Sequence, residues 1–291
     1  MRIGIHSGTV LRGRIDAVVA EVRRTAEHGL HGYWAPMLTG HDTLAVLAIA
    51  GREVASVELG TAVVPMPLRP AYALAQEAAT VQEATGGRLV LGLGPSHEAL
   101  VRTAFGLPWP PPLATTRRYV DELTHIMRGT GPQRVDVGPQ PVPPILLGAV
   151  NPAMAALAAE VAAGVVTWAA GARTVAEVVV PPARQRADYR IVVALPVCVT
   201  DDVAATRRLV DRRLGAHDRL PSYQKVLARE GVASSADLAV VGSADEVGRR
   251  LDELAQAGAT DFAAHIVAAT EADAERTWQY LAQRAAEAGG R

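Results

Sequence analysis

Short apolar runs rich in Val, Ile and Leu alternate along the whole chain with longer Ala, Leu, Arg and Glu segments whose apolar positions recur at helical spacing. The runs predict strands at Arg2–His6, Gly32–Ala35, Glu58–Val64, Arg88–Gly94, Pro144–Gly148, Val165–Trp168, Ile191–Val199 and Asp261–Ile266. Between them the helical period predicts helices at Ile15–His28, Thr43–Glu53, Ala71–Thr85, Thr116–Arg128, Pro152–Ala163, Asp202–Leu214, Ala244–Ala257 and Ala272–Ala288. Two helix starts carry readable signals: Asn151-Pro152 is an N-cap followed by a first-turn proline, and Ser243 with Glu246 forms a capping box. Strand and helix in unbroken alternation is the pattern of a parallel sheet with helices outside it, and eight strands predict an α/β fold, a single (β/α)8 TIM-type barrel.

Some segments interrupt the alternation. Loop insertions are expected near 95–115, where Phe105–Thr115 contains WPPP, and near 129–144, where Gly and Pro accumulate. Pro181-Pro182 predicts a shortened or broken sixth helix. No low-complexity linker divides the chain, so residues 1–291 are expected to form one domain.

Composition narrows the partners. Hydrophobic residues make up 49% of the chain but aromatics only 4%, so the core must be packed by Ala, Val and Leu. No run approaches the roughly 20 apolar residues of a spanning helix, which argues against a membrane protein and for a cytoplasmic one. A formal charge of -1 with interspersed signs offers no broad face to nucleic acid. The single cysteine, Cys198, excludes an intrachain disulfide and a cysteine-based zinc site, and its apolar run LPVCVT reads as a buried thiol.

In such a barrel, chemistry belongs where the strands end at their C-terminal side. Those positions are His6-Ser7-Gly8, Pro36-Met37, Val63-Val64-Pro65, Gly94-Pro95-Ser96-His97, Gly148-Ala149-Val150-Asn151, Trp168-Ala169-Ala170-Gly171, Thr200-Asp201 and His265. This rim is poor in carboxylates, so it presents neither a paired-acid arrangement for glycoside hydrolysis nor a metal-ligand set. It is rich in Gly, Ala and small polar groups, a lining suited to a flat ligand contacted by backbone. His6 and His97 are the candidate proton carriers, although each also reads as a hydrogen-bonded strand-end histidine; His265 is open in the same way. His28, His31, His125 and His217 read as solvent or helix-terminus contacts. Trp168 is open between ligand stacking and core filling. Gly92-Leu93-Gly94 lacks dinucleotide-fingerprint spacing, while Gly148–Asn151 opens a helix whose amides suit an anion or serve only as a capped start.

The stretches Leu59-Gly60-Thr61-Ala62-Val63-Val64-Pro65, Ala73-Leu74-Ala75-Gln76 and Gly87–His97 together resemble the luciferase-like monooxygenase superfamily, in particular its deazaflavin (coenzyme F420)-dependent oxidoreductases. Gly40–Leu44, Gly148–Pro152, Leu195–Asp202, Val241–Ser243 and Ala257–Phe262 extend the resemblance over nearly the whole chain. It implies a bulge in the third strand with a non-prolyl cis peptide at Ala62-Val63, preceded by Thr61, supporting one face of the cofactor ring. It further implies that Gly92, Gly94, Pro95, Ser96 and His97 line the ring or ribityl chain, and that Gly148, Ala149, Val150 and Asn151 receive the phosphate, with Trp168 nearby. The family's polar residue at the end of strand two is replaced by Ala35-Pro36-Met37, its Arg-His-Pro by Arg69-Pro70-Ala71, and an acidic residue before a glycine by Ala163-Gly164. His6 or His97 is therefore the expected acid/base.

The expected activity is hydride transfer between C5 of F420 and a small organic substrate, reducing C=C or C=N or oxidising an alcohol. FMN-dependent monooxygenation and cofactor binding without turnover are the alternatives. The resemblance also implies a homodimer, packed through Thr43–Ala50 and Ala71–Ala84.

Overall fold

The computed structural model describes residues 1–138 and 141–289. Its strands are β1 (Arg2–His6), β2 (Gly32–Ala35), β3 (Glu58–Thr61), β4 (Val64–Pro65), β5 (Leu89–Gly94), β6 (Ile145–Gly148), β7 (Gly164–Trp168), β8 (Arg190–Val199), β9 (Val240–Gly242) and β10 (Asp261–Ile266). Every pairing is parallel. The ladder runs from β1 through β8, and β10 then pairs with both β8 and β1, which closes the ring. β3 and β4 both pair with β5 and share one stave, and among the described residues β9 pairs only with the far end of β8, so the barrel has eight staves with helices outside: a (β/α)8 barrel.

Two apolar layers hold it. Val, Leu and Ile on the outer faces of the strands pack against the helices, while Trp34, Val90, Leu146, Val166, Val192, Ala194 and Ala263 fill the interior. Trp34 fits because position 60 is glycine: a Cβ there would lie 2.1 Å from the indole ring. The helix ends follow local chemistry. Asp42 accepts from the Ala45 amide, Ser243 and Glu246 form the expected capping box, and Gly129 closes the helix Pro112–Arg128 in the left-handed conformation.

Several elements differ from the sequence pattern. The third strand is not continuous over Glu58–Val64 but breaks after Thr61, and the Ala62-Val63 peptide bond is cis. The helix expected from Thr116 starts at Pro112, because proline is preorganised for a first turn and its missing N–H has no partner there to lose. A short helix, Glu98–Thr103, also occupies the segment expected as loop. Between β7 and β8 the chain is helical from Ala172 to Ala183 with a wide π turn at Val175–Val179, which accommodates Pro181 and Pro182, residues that cannot donate to a regular ladder. In the insertion near 129–144, residues 139 and 140 lie outside the described residues. Helix Pro221–Glu230 and strand β9, between β8 and β10, were not expected from the periodicity. Among the described residues, no helix is long and apolar enough to cross a membrane.

The N-terminal mouth of the barrel is closed by charge. Arg190, at the start of β8, donates to both Glu58 carboxylate oxygens at 2.9 and 2.8 Å and to Asp261 at 2.7 Å. Arg2 reaches Asp261 at 3.0 Å and His31 at 2.9 Å, and the Arg190 guanidinium lies 5.7 Å from the centre of the Trp34 ring. Burial alone would raise the Asp261 carboxyl, but the charge and hydrogen bond of Arg190, with bonds from Thr260 and Arg2, hold it below the usual carboxylate range. His31, Glu58 and Asp261 are spaced closely enough for a metal ion, yet the two guanidiniums already supply their countercharge.

Candidate functional site at the C-terminal mouth

At the opposite mouth the strand ends bring together imidazoles and aromatics instead of ions. β1 and β7 end in His6 and Trp168, whose rings stack at 4.7 Å with 29° between planes. His265, near the end of β10, meets both edge-on, at 5.3 Å from His6 and 5.4 Å from Trp168. His6 is buried, and that burial, reinforced by His265, pushes its pKa down from 6.5 to about 3, while its own carbonyl and that of Ala62 pull weakly the other way. His265 is lowered too, by burial. Both rings are neutral at pH 7.

The broken third stave forms the next wall. Where β3 stops, the Thr61 hydroxyl donates to the Gly92 carbonyl and accepts from the Gly92 amide, both at 2.8 Å, replacing with one side chain the backbone pairing that the break removes. Gly92 must be glycine because a Cβ there would stand 1.9 Å from the Thr61 carbonyl oxygen. Gly94 and Gly148 flank the Val63 side chain, and a Cβ at either would lie 2.9 or 3.6 Å from its methyl groups. Ala62, Val63 and Trp168 are the partly exposed cap of the interior layer, so the mouth has an apolar floor made of small residues and one indole. Ser96 and Ala169, just past β5 and β7, hold left-handed backbone with φ of 67° and 49°, a conformation uncommon outside glycine and concentrated at functional sites.

His97 follows Ser96 and is the N-cap residue of helix Glu98–Thr103, half-buried. Its ring lies 5.8 Å from Tyr223, which is 6.0 Å from His217, itself 6.5 Å from Trp168. Burial, then His217, lowers the His97 pKa. The rings thus run as a chain across the mouth from His265 through His6, Trp168, His217 and Tyr223 to His97. His217 and Tyr223 belong to the insertion after β8. Periodicity does not say that the insertion folds over the mouth, which is why His217 reads as a solvent or helix-terminus contact from sequence.

Two helix starts face the question of an anion. Asn151 accepts from its own helix at the Met154 amide, 3.0 Å, and the Ala149 amide is bonded to the Val166 carbonyl, so part of Gly148–Asn151 is already satisfied internally. At the other, the Gly171 and Thr174 amides both donate to Glu230, at 3.0 and 2.8 Å. Pro95 lies apart from these, on the rim of an apolar groove of about 260 Å³ with Met66, Leu107, Trp109 and Tyr119.

The C-terminal mouth of this closed parallel barrel, the end at which (β/α)8 barrels carry their sites, is floored by small apolar residues and ringed by imidazoles. Residues 1–261 match the family model described as luciferase-like monooxygenase, and the chain belongs to that family. A Mycobacterium tuberculosis protein provisionally named a coenzyme F420-dependent oxidoreductase is 31% identical over 199 residues, covering 57% of each chain. The chain thus spans little more than half the length of that relative. In three dimensions the chain is similar to an F420-dependent secondary alcohol dehydrogenase in complex with an F420-acetone adduct, with a TM-score of 0.78 and 15% identity over 97% of both chains. It is also similar to the oxygenating constituent of 3,6-diketocamphane monooxygenase from Pseudomonas putida in complex with FMN, with a TM-score of 0.71 and 15% identity over 97% of this chain and 96% of that one. At that identity the two structures establish the shared fold.

Proposed function

We propose that the protein is an oxidoreductase that binds the deazaflavin F420 at the C-terminal mouth and exchanges hydride with a small organic substrate. The observation that carries this reading is the floor of Ala62, Val63 and Trp168, built where Gly92, Gly94 and Gly148 let backbone and side chains approach closely. Such a floor fits a planar tricyclic ring with one apolar face, and the provisional name of the Mycobacterium tuberculosis relative favours F420. When bound, the cofactor supplies the carbon that gives or takes hydride.

The chain's own residues have three tasks in this reading. The floor orients one ring face, and its apolar side chains exclude water from it. Gly148–Asn151 or the Gly171–Thr174 turn receives the anionic tail. His97 holds the proton: it is half-buried at the solvent side of the mouth, and with its pKa lowered it is neutral at pH 7 and accepts a proton from an alcohol, or returns one in the reductive direction. His6 is a weaker candidate, because an imidazole held down at about 3 is rarely charged near neutrality. The FMN reading is kept because barrels of this fold also hold FMN.

Titration of the purified protein with F420 and with FMN, followed by cofactor fluorescence, tests the reading. F420 is expected to bind more tightly; binding of FMN alone moves the protein to the monooxygenase reading, and binding of neither removes the site. His97→Ala is expected to lower turnover by about 10²–10⁴-fold with F420 affinity nearly intact. A homodimer belongs to the same proposal. Exposed Ile49, Tyr72 and Leu113 lie on the helices Thr43–Glu53, Ala71–Ala84 and Pro112–Arg128, and sedimentation at micromolar concentration checks it.

A further inference from the structure

His265 has no task in the proposed transfer, yet it is packed against His6 from the adjoining strand, where β10 pairs with β1 up to Ala264 and Ile5. Its Nδ1 lies 3.1 Å from the His6 carbonyl oxygen and 3.4 Å from His6 Nδ1. A carbonyl oxygen only accepts, so His265 Nδ1 carries a hydrogen. That N–H also faces His6 Nδ1, which is therefore favoured as a bare acceptor. A neutral imidazole has one N–H, and with Nδ1 bare it resides on Nε2. Trp168 stacked on one face and His265 against the edge keep the His6 ring from turning over.

We propose that His265 is a positioning residue that fixes His6 as its Nε2–H tautomer, so that His6 presents a fixed N–H donor on the side of its ring away from the pair. The second bare ring nitrogen of the pair is then His265 Nε2. This assignment stands on the geometry of the two rings and the His6 carbonyl, and it holds whichever cofactor the mouth takes.

Long-range proton–nitrogen NMR of the full chain labelled with ¹⁵N-histidine reads the tautomers at neutral pH, with His6→Gln and His265→Gln assigning the signals by loss. The expected wild-type pattern is a pyridine-type Nδ1 and pyrrole-type Nε2 for His6, and the reverse for His265. In His265→Phe, which cannot donate, the His6 signals are expected to move to a mixture of tautomers. In His265→Gln, whose side-chain amide can donate to the same carbonyl, His6 is expected to keep Nε2–H. A pyrrole-type Nδ1 on His6 in the wild-type protein overturns the proposal without any variant, as does a His6 pattern that stays unchanged in a folded His265→Phe.

Discussion

The two mouths of the barrel solve the same closure problem with opposite chemistry. At the N-terminal mouth Arg190, Glu58, Asp261 and Arg2 form a connected set in which each charge has a partner, and the interior is sealed beneath Trp34. At the C-terminal mouth stand His6, His265, His217 and His97 with Trp168 and Tyr223, and two non-glycine residues hold left-handed backbone. Charge compensated internally has no further use for a ligand. Aromatic rings over an apolar floor leave contacts for one to make. The difference supports the proposed site at the C-terminal mouth independently of which strand ends are counted.

If the N-terminal set is the stabilising end, removing its centre should have the largest effect of any single change. Arg190→Ala leaves the carboxylates of Glu58 and Asp261 close together and largely buried, and breaking a buried pair in this way typically costs about 3–5 kcal/mol. Denaturant unfolding should show that loss. A loss below about 1 kcal/mol would mean that the set is solvated and that the contrast between the mouths is one of appearance.

Acid separates the two ends next. His6 has its pKa depressed from 6.5 to about 3, so the unfolded chain takes up a proton that the folded one refuses. Its contribution is complete above pH 6.5 and declines as pH falls toward 3, by about 2 kcal/mol at pH 5. Asp261, held below the usual carboxylate range, contributes above its ordinary pKa of 3.8 and loses that contribution only as pH falls through its lower folded value. Stability against pH should therefore weaken first through the C-terminal mouth. His6→Gln should flatten the curve between pH 6.5 and 4.5 and leave the more acidic limb in place. An unchanged slope in that variant would assign the upper limb to His97 or His265 or, against the contrast between the mouths, to His31 at the N-terminal one, all of which are also lowered.

Both mouths were partly legible in the sequence, for different reasons. Strand and helix periods gave the staves to within a residue or two because the barrel buries both faces of each strand, and strand ends then identified His6, Trp168 and the Gly92–His97 turn as rim positions. The break after Thr61 came from resemblance, since nothing in an apolar run says that a hydroxyl will stand in for the ladder at Gly92. The ion set left a readable mark that periodicity ignores: Glu58 and Asp261 open two predicted strands and Arg190 immediately precedes a third, so all three converge at one end of a parallel barrel. His217, Tyr223 and Glu230 had no such mark. Their place depends on how an insertion folds back over the mouth, a tertiary fact that local pattern does not carry.

The finest comparison lies within the C-terminal mouth, between its two helix starts. The Glu230 carboxylate already sits on the Gly171 and Thr174 amides, whereas at Asn151 only a neutral side chain caps the helix, through the Met154 amide. An anionic tail meets a resident negative charge at the first and none at the second, which favours Gly148–Asn151. Asn151→Ala should cost about 1 kcal/mol in unfolding experiments from the lost cap alone. Asn151→Asp keeps a capping oxygen, so stability should stay within about 0.5 kcal/mol of wild type, but the added charge should weaken F420 severalfold by repelling a phosphate bound there. Measuring both quantities on both variants separates the helix's need for the cap from the ligand's need for the amides. Unchanged F420 affinity in Asn151→Asp would place the tail at the Gly171–Thr174 turn, and Glu230→Gln should then tighten binding.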